Sequence, residues 1–224
     1  MNRSTLRPWH AALVLALVST SLFASGGASS APPAPSTPAA TPEQIAVDNY
    51  NAGLKQREKA LELDESIAGA TDAKKLAKLE GKRTRAFEKA AKLYETALDA
   101  KPDFVQAHGS LGYALRRLGR FEEAMASYDT ALSLNPNYPA AIEYRAEALL
   151  GLGRVDEVKE AYQKLSMMSA DHAAELMAAV KAWAGDEANA EAASAAGLME
   201  WTAGSERVAT ETSAGGQSGK HRWR

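Results

Sequence analysis

The sequence contains no cysteine among its 224 residues. Disulfide bonds, thiol nucleophiles and thiolate metal sites are therefore excluded. The formal net charge is only −2, so the overall basic excess that accompanies nucleic-acid binding is missing, and no nucleic-acid partner is expected. Motifs of zinc proteases, phosphate-binding glycine loops and serine nucleophile elbows are also missing. These absences predict a protein that is not an enzyme and that uses no cofactor and no metal.

The first 30 residues have the pattern of a secretory signal peptide. Arg3 and Arg7 precede an apolar run at residues 11–23, and small residues follow at which cleavage within 24–31 is expected. The run is shorter than the ~20 apolar residues that a membrane-spanning helix needs. The sequence therefore predicts a periplasmic or secreted protein of bacterial type, with no stable membrane anchor after cleavage. The alternative is a protein anchored in the inner membrane by residues 11–23.

The rest of the chain divides by composition. Residues 31–42 form a linker rich in proline and alanine, which is expected to be extended. Thr41, Pro42 and Gln44 then have the spacing of a helix N-terminus, with a capping box that begins at Thr41. Residues 43–184 are rich in good helix formers and predict a helical domain. Residues 185–224 are of low complexity and predict a largely disordered tail that follows a weakly helical stretch up to about Trp201.

The helical domain contains a repeat with a period of 34 residues. A fixed period of this length is typical of a solenoid, in which each helix pair covers the apolar flank of its neighbour. Small alanines allow two helices to approach closely, and the aromatic side chains fill the space between them. Gly119 and Gly153 are placed to end the first helix of their units. The identical residues are Phe87, Ala90, Tyr94, Ala97, Leu98 and Pro102, which recur as Phe121, Ala124, Tyr128, Ala131, Leu132 and Pro136.

This pattern resembles the tetratricopeptide repeat (TPR) family. The resemblance implies an all-α fold: a short right-handed solenoid of antiparallel helix pairs, with an elongated first pair at 43–104 and a capping helix at 172–184. It implies regular repeats at 105–138 and 139–172, and an insertion of about 20 residues that lengthens both helices of the first pair. Asp171 is the predicted N-cap of the capping helix, with His172 beside it. The motif residues are Leu111, Gly112, Gly119, Phe121, Ala124, Tyr128, Ala131 and Pro136.

The resemblance also implies a binding surface. In this family, extended peptides or helices lie in a concave groove lined by the first helix of each unit. Two interpretations of Arg116 and Arg117 stay open: they bind a carboxylate of an acidic partner segment, or they are solvated cations at the end of a helix. The groove candidates are Asn51, Arg57, Tyr113, Arg116, Arg117, Glu143 and Glu147.

Three functions fit these observations. The first is an adaptor of the cell envelope that binds an unknown protein or peptide in the groove. The second is a scaffold or assembly subunit that docks through the elongated helix pair, for which self-association stays open. The third is an accessory subunit of an envelope enzyme. A run of cations at 74–85 is either a solvated helix face, balanced by Glu80 and Glu88, or a patch that binds a partner.

Overall fold

The structure, a computed structural model, describes residues 39–205 and 207. The predicted signal peptide, the linker up to residue 38 and the last part of the predicted tail lie outside these residues. The described part is all-α, as predicted, and residues 198–205 are helical in addition to the named elements. These elements are α1 (Pro42–Ala68), α2 (Ala73–Ala100), α3 (Val105–Arg117), α4 (Phe121–Leu134), α5 (Pro139–Gly151), α6 (Val155–Met168), α7 (Ala170–Ala184), a 3-10 turn (Glu187–Asn189) and α8 (Ala190–Ala195).

The helices pack as a stack of pairs. Each of α1, α3 and α5 packs against the helix that follows it in sequence, and α2 and α4 also contact the next pair. The first helices α3, α5 and α7 lie side by side. This arrangement is the solenoid that the 34-residue period predicts. It places the first helices in one layer, where their side chains meet.

One kind of contact, a glycine against a tyrosine ring, joins the two helices within each of the first two pairs. A Cβ atom added to Gly53 would lie 2.5 Å from the ring of Tyr94, and one added to Gly112 would lie 2.7 Å from the ring of Tyr128. Both tyrosines are fully buried. Glycine is therefore required at these two positions, because any side chain there would occupy the volume of the aromatic ring.

The helix ends follow the predicted chemistry in part. The Thr41 hydroxyl accepts a hydrogen bond from the backbone N–H of Gln44, as predicted. The side chain of Gln44 donates instead to Asp48, so the reciprocal half of the capping box is not formed. The prediction that Asp171 caps α7 is wrong. Ser169 is the N-cap, because its backbone is extended and its hydroxyl accepts from the N–H of His172.

The start of the predicted tail is also structured. Residues 185–205 pack against α6 through the ring of Trp201, whose centroid lies 5.2 Å from that of Tyr162 in an edge-to-face arrangement. The ammonium group of Lys159 donates a hydrogen bond of 2.8 Å to a backbone carbonyl of this segment. The helical structure agrees with the weakly helical stretch expected from residue 185 to about Trp201, and it continues to residue 205. The few apolar residues of the segment are too sparse to form a core alone, but Ala193 and Leu198 are buried in the folded chain.

Two exposed glycines give opposite predictions for stability. Gly119 ends α3 with a φ of +76°, whereas Gly81 lies inside α2, and an added Cβ meets no atom within 4 Å at either position. Gly119→Ala is expected to lower the free energy of unfolding by about 1 kcal/mol, because alanine is strained in the left-handed region. Gly81→Ala is expected to raise it by about 0.5–1 kcal/mol. Urea unfolding of both variants checks the pair, and a shift in the same direction would contradict the backbone argument.

Candidate functional site

A row of polar and aromatic side chains crosses the layer of first helices from α1 to α5. We call these residues the central row. Each lies three, four or seven positions from another member on its own helix, so the members project from about the same face. Their contacts join α1 to α3 and α3 to α5. The members are Arg57 and Asp64 from α1, Tyr113, Arg116 and Arg117 from α3, and Tyr144 and Glu147 from α5.

Tyr113 is the centre of the row. Its ring centroid lies 5.1 Å from that of Tyr144 in an edge-to-face arrangement. The guanidinium carbon of Arg116 lies 5.2 Å from the centroids of both rings. That of Arg57 lies 5.8 Å from the Tyr113 ring. These distances are typical of cation–π contacts, which stabilise the aromatic surface and keep the rings in place.

Both arginines of the predicted pair already have carboxylate partners. Arg117 contacts Asp64 of α1, with 2.6 Å between Nη2 and Oδ2, and donates a second hydrogen bond of 3.1 Å to the hydroxyl of Tyr113. Arg116 forms an ion pair with Glu147 of α5. Burial opposes the charge of Arg116, but the carboxylate of Glu147 keeps its pKa above the ordinary value. Neither residue is thus a freely solvated helix-end cation.

The central row contains most of the predicted groove residues, with two exceptions. Asn51 is exposed on α1 and lies about 9 Å before Arg57 along the helix axis. Glu143 is almost fully buried, with 2% of its surface exposed, and points toward α7. The sequence interpretation missed Asp64 and Tyr144. Asp64 lies in the inserted part of α1, which has no counterpart in the other units, so the repeat gave no signal for it.

Glu143 forms a cluster with two residues of α7. Its Oε2 lies 2.5 Å from Nδ1 of His172, and Glu175 lies 3.9 Å from the same nitrogen. Burial raises the pKa of Glu143 to about 9, and the negative charges of Glu147 and Glu175 act in the same direction. The raised pKa favours the protonated carboxyl of Glu143 at neutral pH, and the short contact joins this carboxyl group to the ring of His172.

The sequence did contain a signal for the contact between Glu143 and His172. A Cβ added to Gly109 would lie 3.1 Å from the ring of Tyr138. Moving both positions forward by the 34-residue period gives Glu143 and His172. The contact between Gly109 and Tyr138 thus recurs one unit later as a contact between two polar residues. His172 was interpreted only as a neighbour of the helix cap, and its side chain instead joins α7 to α5.

The stability of the protein is expected to depend on pH through Glu143. The folded-state pKa of about 9 lies above the ordinary 4.5, so the folded state binds more protons than the unfolded state between these values. The contribution of this group is complete below 4.5 and is lost as the pH rises, by up to about 1.4 kcal/mol per pH unit. Glu143→Gln keeps a neutral hydrogen-bonding group and is expected to remove this slope. Urea unfolding across this pH range would contradict the assignment if both proteins gave parallel curves.

The described residues offer one group with metal-ligand types. Glu143, His172 and Glu175 place one ligand atom each within 4.8 Å of one another. The hydrogen bond between Glu143 and His172 already satisfies two of these atoms, and we assign no metal to the group. Within residues 39–205 and 207, no helix has the length and apolar character needed to cross a membrane.

Comparisons with known proteins agree with the repeat pattern. Two tetratricopeptide repeat profiles match the chain, one at residues 75–142 and the other at residues 115–183. Among curated proteins, none matches. Among solved structures, the first TPR domain of Spaghetti (RPAP3), bound to the HSP90 peptide SRMEEVD, is 21% identical with a TM-score of 0.47; the match covers 66% of this chain and 99% of that one. Residues 75–183 of this chain are thus similar to the tetratricopeptide repeat family.

Proposed function

We propose that this domain is an adaptor that binds a protein segment along the layer of first helices. The observation that supports this most is the central row, which presents two tyrosine rings, each half-buried, between three helices. Tyrosine combines a large apolar surface with a hydroxyl group and is enriched in protein interfaces. The repeats are similar to those of a family whose members act in protein–protein interaction, and the described residues supply no arrangement that suggests an enzyme.

The chemistry of the row favours a segment that is not strongly acidic. A carboxylate of the partner that approaches Arg116 or Arg117 would compete with Glu147 or Asp64, which already bind these guanidinium groups. That exchange replaces one ion pair by another and provides little net free energy. The faces of Tyr113 and Tyr144 are the better source of affinity, because burying them removes apolar surface from water. The partner segment is thus expected to present an apolar side chain to the two rings.

A photo-crosslinking experiment in cells tests this proposal. A photoreactive phenylalanine derivative at Asn51, which is exposed on α1, is expected to capture the partner. The same group at Ala126, which is exposed on α4 in the layer of second helices, is the matched control. A partner captured from Asn51 only, and lost when Tyr113 and Tyr144 are replaced by alanine, supports groove binding. Equal capture from both positions would rule it out.

We further propose that the adaptor works in the cell envelope after removal of residues 1–30. The support is the sequence pattern of a positive start, a short apolar run and small residues. Mass spectrometry of the intact protein from the envelope fraction of its host is expected to give an N-terminus within 24–31. A chain that begins at Met1 in the cytoplasmic fraction would contradict the proposal. A chain that begins at Met1 in the membrane fraction would support anchoring by residues 11–23.

A scaffold role is the second candidate, because the first helix pair extends beyond the rest of the stack. We call residues 61–85, at the outer end of α1 and α2, the arm. No residue in the arm is fully buried, and its apolar side chains are half-exposed. Deletion of residues 66–82 of the arm with a short replacement turn, which leaves Asp64 and Arg83 in place, distinguishes the two roles. Loss of partner capture with retention of the fold favours the scaffold, and unchanged capture from Asn51 favours the adaptor.

A further inference from the structure

The outward face of α2 carries a continuous line of positive charge. At 100° per residue, seven cations of α2 fall within an arc of about 100°. Lys92 is the last of them, and the other six extend over about 23 Å of the helix. All six are exposed. No acidic residue falls within this arc, although the whole chain has a net charge of −2. We call these residues the lysine stripe: Lys74, Lys75, Lys78, Lys82, Arg85 and Lys89.

The stripe is not neutralised by the acidic residues of its own helix. Glu80 projects from the opposite side of α2, since residues two positions apart do not face each other. Glu88 lies at the edge of the stripe, and it contributes to raising the pKa of Arg120, after that residue's hydrogen-bonded partner Glu123. Among the ion pairs of the described residues, none includes a member of the stripe. The balance by Glu80 and Glu88 that the sequence suggests is therefore not seen.

The composition of the stripe limits what it binds. Five of the six cations are lysines, which act as point charges, whereas paired recognition of a carboxylate favours arginine. None of the large exposed apolar side chains of the described residues lies on α2. The stripe thus lacks both the apolar anchor of a protein interface and the aromatic platform of a single-strand nucleic-acid site. A straight, purely electrostatic face suits an extended anionic surface.

We infer that the lysine stripe docks this protein on an anionic phospholipid surface, with α2 lying along the headgroups. Each lysine near such a surface strengthens binding about fivefold, and the effect falls off within a Debye length. Six cations along one line are enough for reversible binding without a membrane-spanning helix. The layer of first helices is a separate surface, so the inference does not depend on groove binding.

Vesicle co-sedimentation of the purified full chain tests the inference. The chain is expected to bind vesicles of phosphatidylcholine with phosphatidylglycerol, to bind vesicles of phosphatidylcholine alone much less, and to be released by salt. Lys78→Gln with Lys82→Gln is expected to weaken binding about thirtyfold. Lys55→Gln with Lys59→Gln is the matched control, because this exposed pair has the same spacing on α1 and lies among Glu58 and Glu62. The control is expected to bind as the unchanged chain does.

Three outcomes would overturn the inference. The first is equal binding to neutral and anionic vesicles, which would assign the binding to apolar residues such as 11–23. The second is an equal loss from both lysine pairs, which would indicate a general effect of charge. The third is binding to duplex DNA or to polyglutamate, with no binding to anionic vesicles, which would assign the stripe to another polyanion. Thermal unfolding of both variants shows whether the substitutions leave the fold intact, as expected for exposed and unpaired lysines.

Discussion

Arg116→Met is expected to lower the free energy of unfolding by about 3 kcal/mol, as is typical when one partner of a buried ion pair is removed. Methionine retains most of the packing of the side chain, so the loss comes from the charge. Glu147 would be left half-buried near Glu175, with only the more distant Arg117 and a hydrogen bond with Glu143 to stabilise its charge. Urea unfolding at neutral pH measures the effect. It is expected to be smaller in acid, where the carboxyl groups are protonated.

A second substitution separates the charge from the packing. Glu147→Gln in the Arg116→Met background removes the unpaired charge and is expected to restore about half of the loss. Glu147→Gln alone leaves the guanidinium of Arg116 in contact with the rings of Tyr113 and Tyr144, which attract a cation, and is expected to cost less than Arg116→Met alone. If the double variant is no more stable than Arg116→Met, the loss arises from packing against Tyr113 and Tyr144, and the ion pair contributes little.

Tyr128→Ala is expected to cost about 3–5 kcal/mol, because its fully buried ring fills the space over Gly112 and would leave a cavity there. Tyr162 occupies the same position one period later but is only half-buried, so Tyr162→Ala is expected to cost about 1 kcal/mol. Tyr128→Phe keeps the ring and serves as the control, with an expected loss below about 1.5 kcal/mol. Equal losses for Tyr128→Ala and Tyr162→Ala would show that burial does not decide the contribution of this position.

The repeat predicts the packing well because each recurring position of the 34-residue period has one role in packing or in ending a helix. Gly119 and Gly153 both have positive φ, as their placement after a first helix requires. The ring of Tyr128 lies over Gly112, as the pairing of a large with a small residue suggests. These features depend on local geometry that is the same in every unit. A period of 34 residues is therefore enough to place them.

The candidate site is less predictable because its contacts join different units. Arg117 binds Asp64, which lies in the inserted end of α1. The other units have no equivalent of this insertion, so the period does not predict the contact. Glu143 contacts His172 between α5 and α7. The sequence indicates this contact only once the contact between Gly109 and Tyr138, one period earlier, is known. Sequence identifies which residues face the layer of first helices. It does not decide which of them bind each other and which are left for a ligand.

The absence of fully buried residues in the arm implies a gradient of local stability along α1 and α2. Backbone hydrogen bonds open most easily where few side chains must leave a core. Ala60 and Ala86 are the last fully buried residues before the arm, so amide hydrogens beyond them are expected to exchange faster than those near Gly53 and Tyr94. Asp64 lies inside this region, and each opening of the arm would release Arg117 from it. Arm opening and the formation of the ion pair between Arg117 and Asp64 are therefore coupled equilibria.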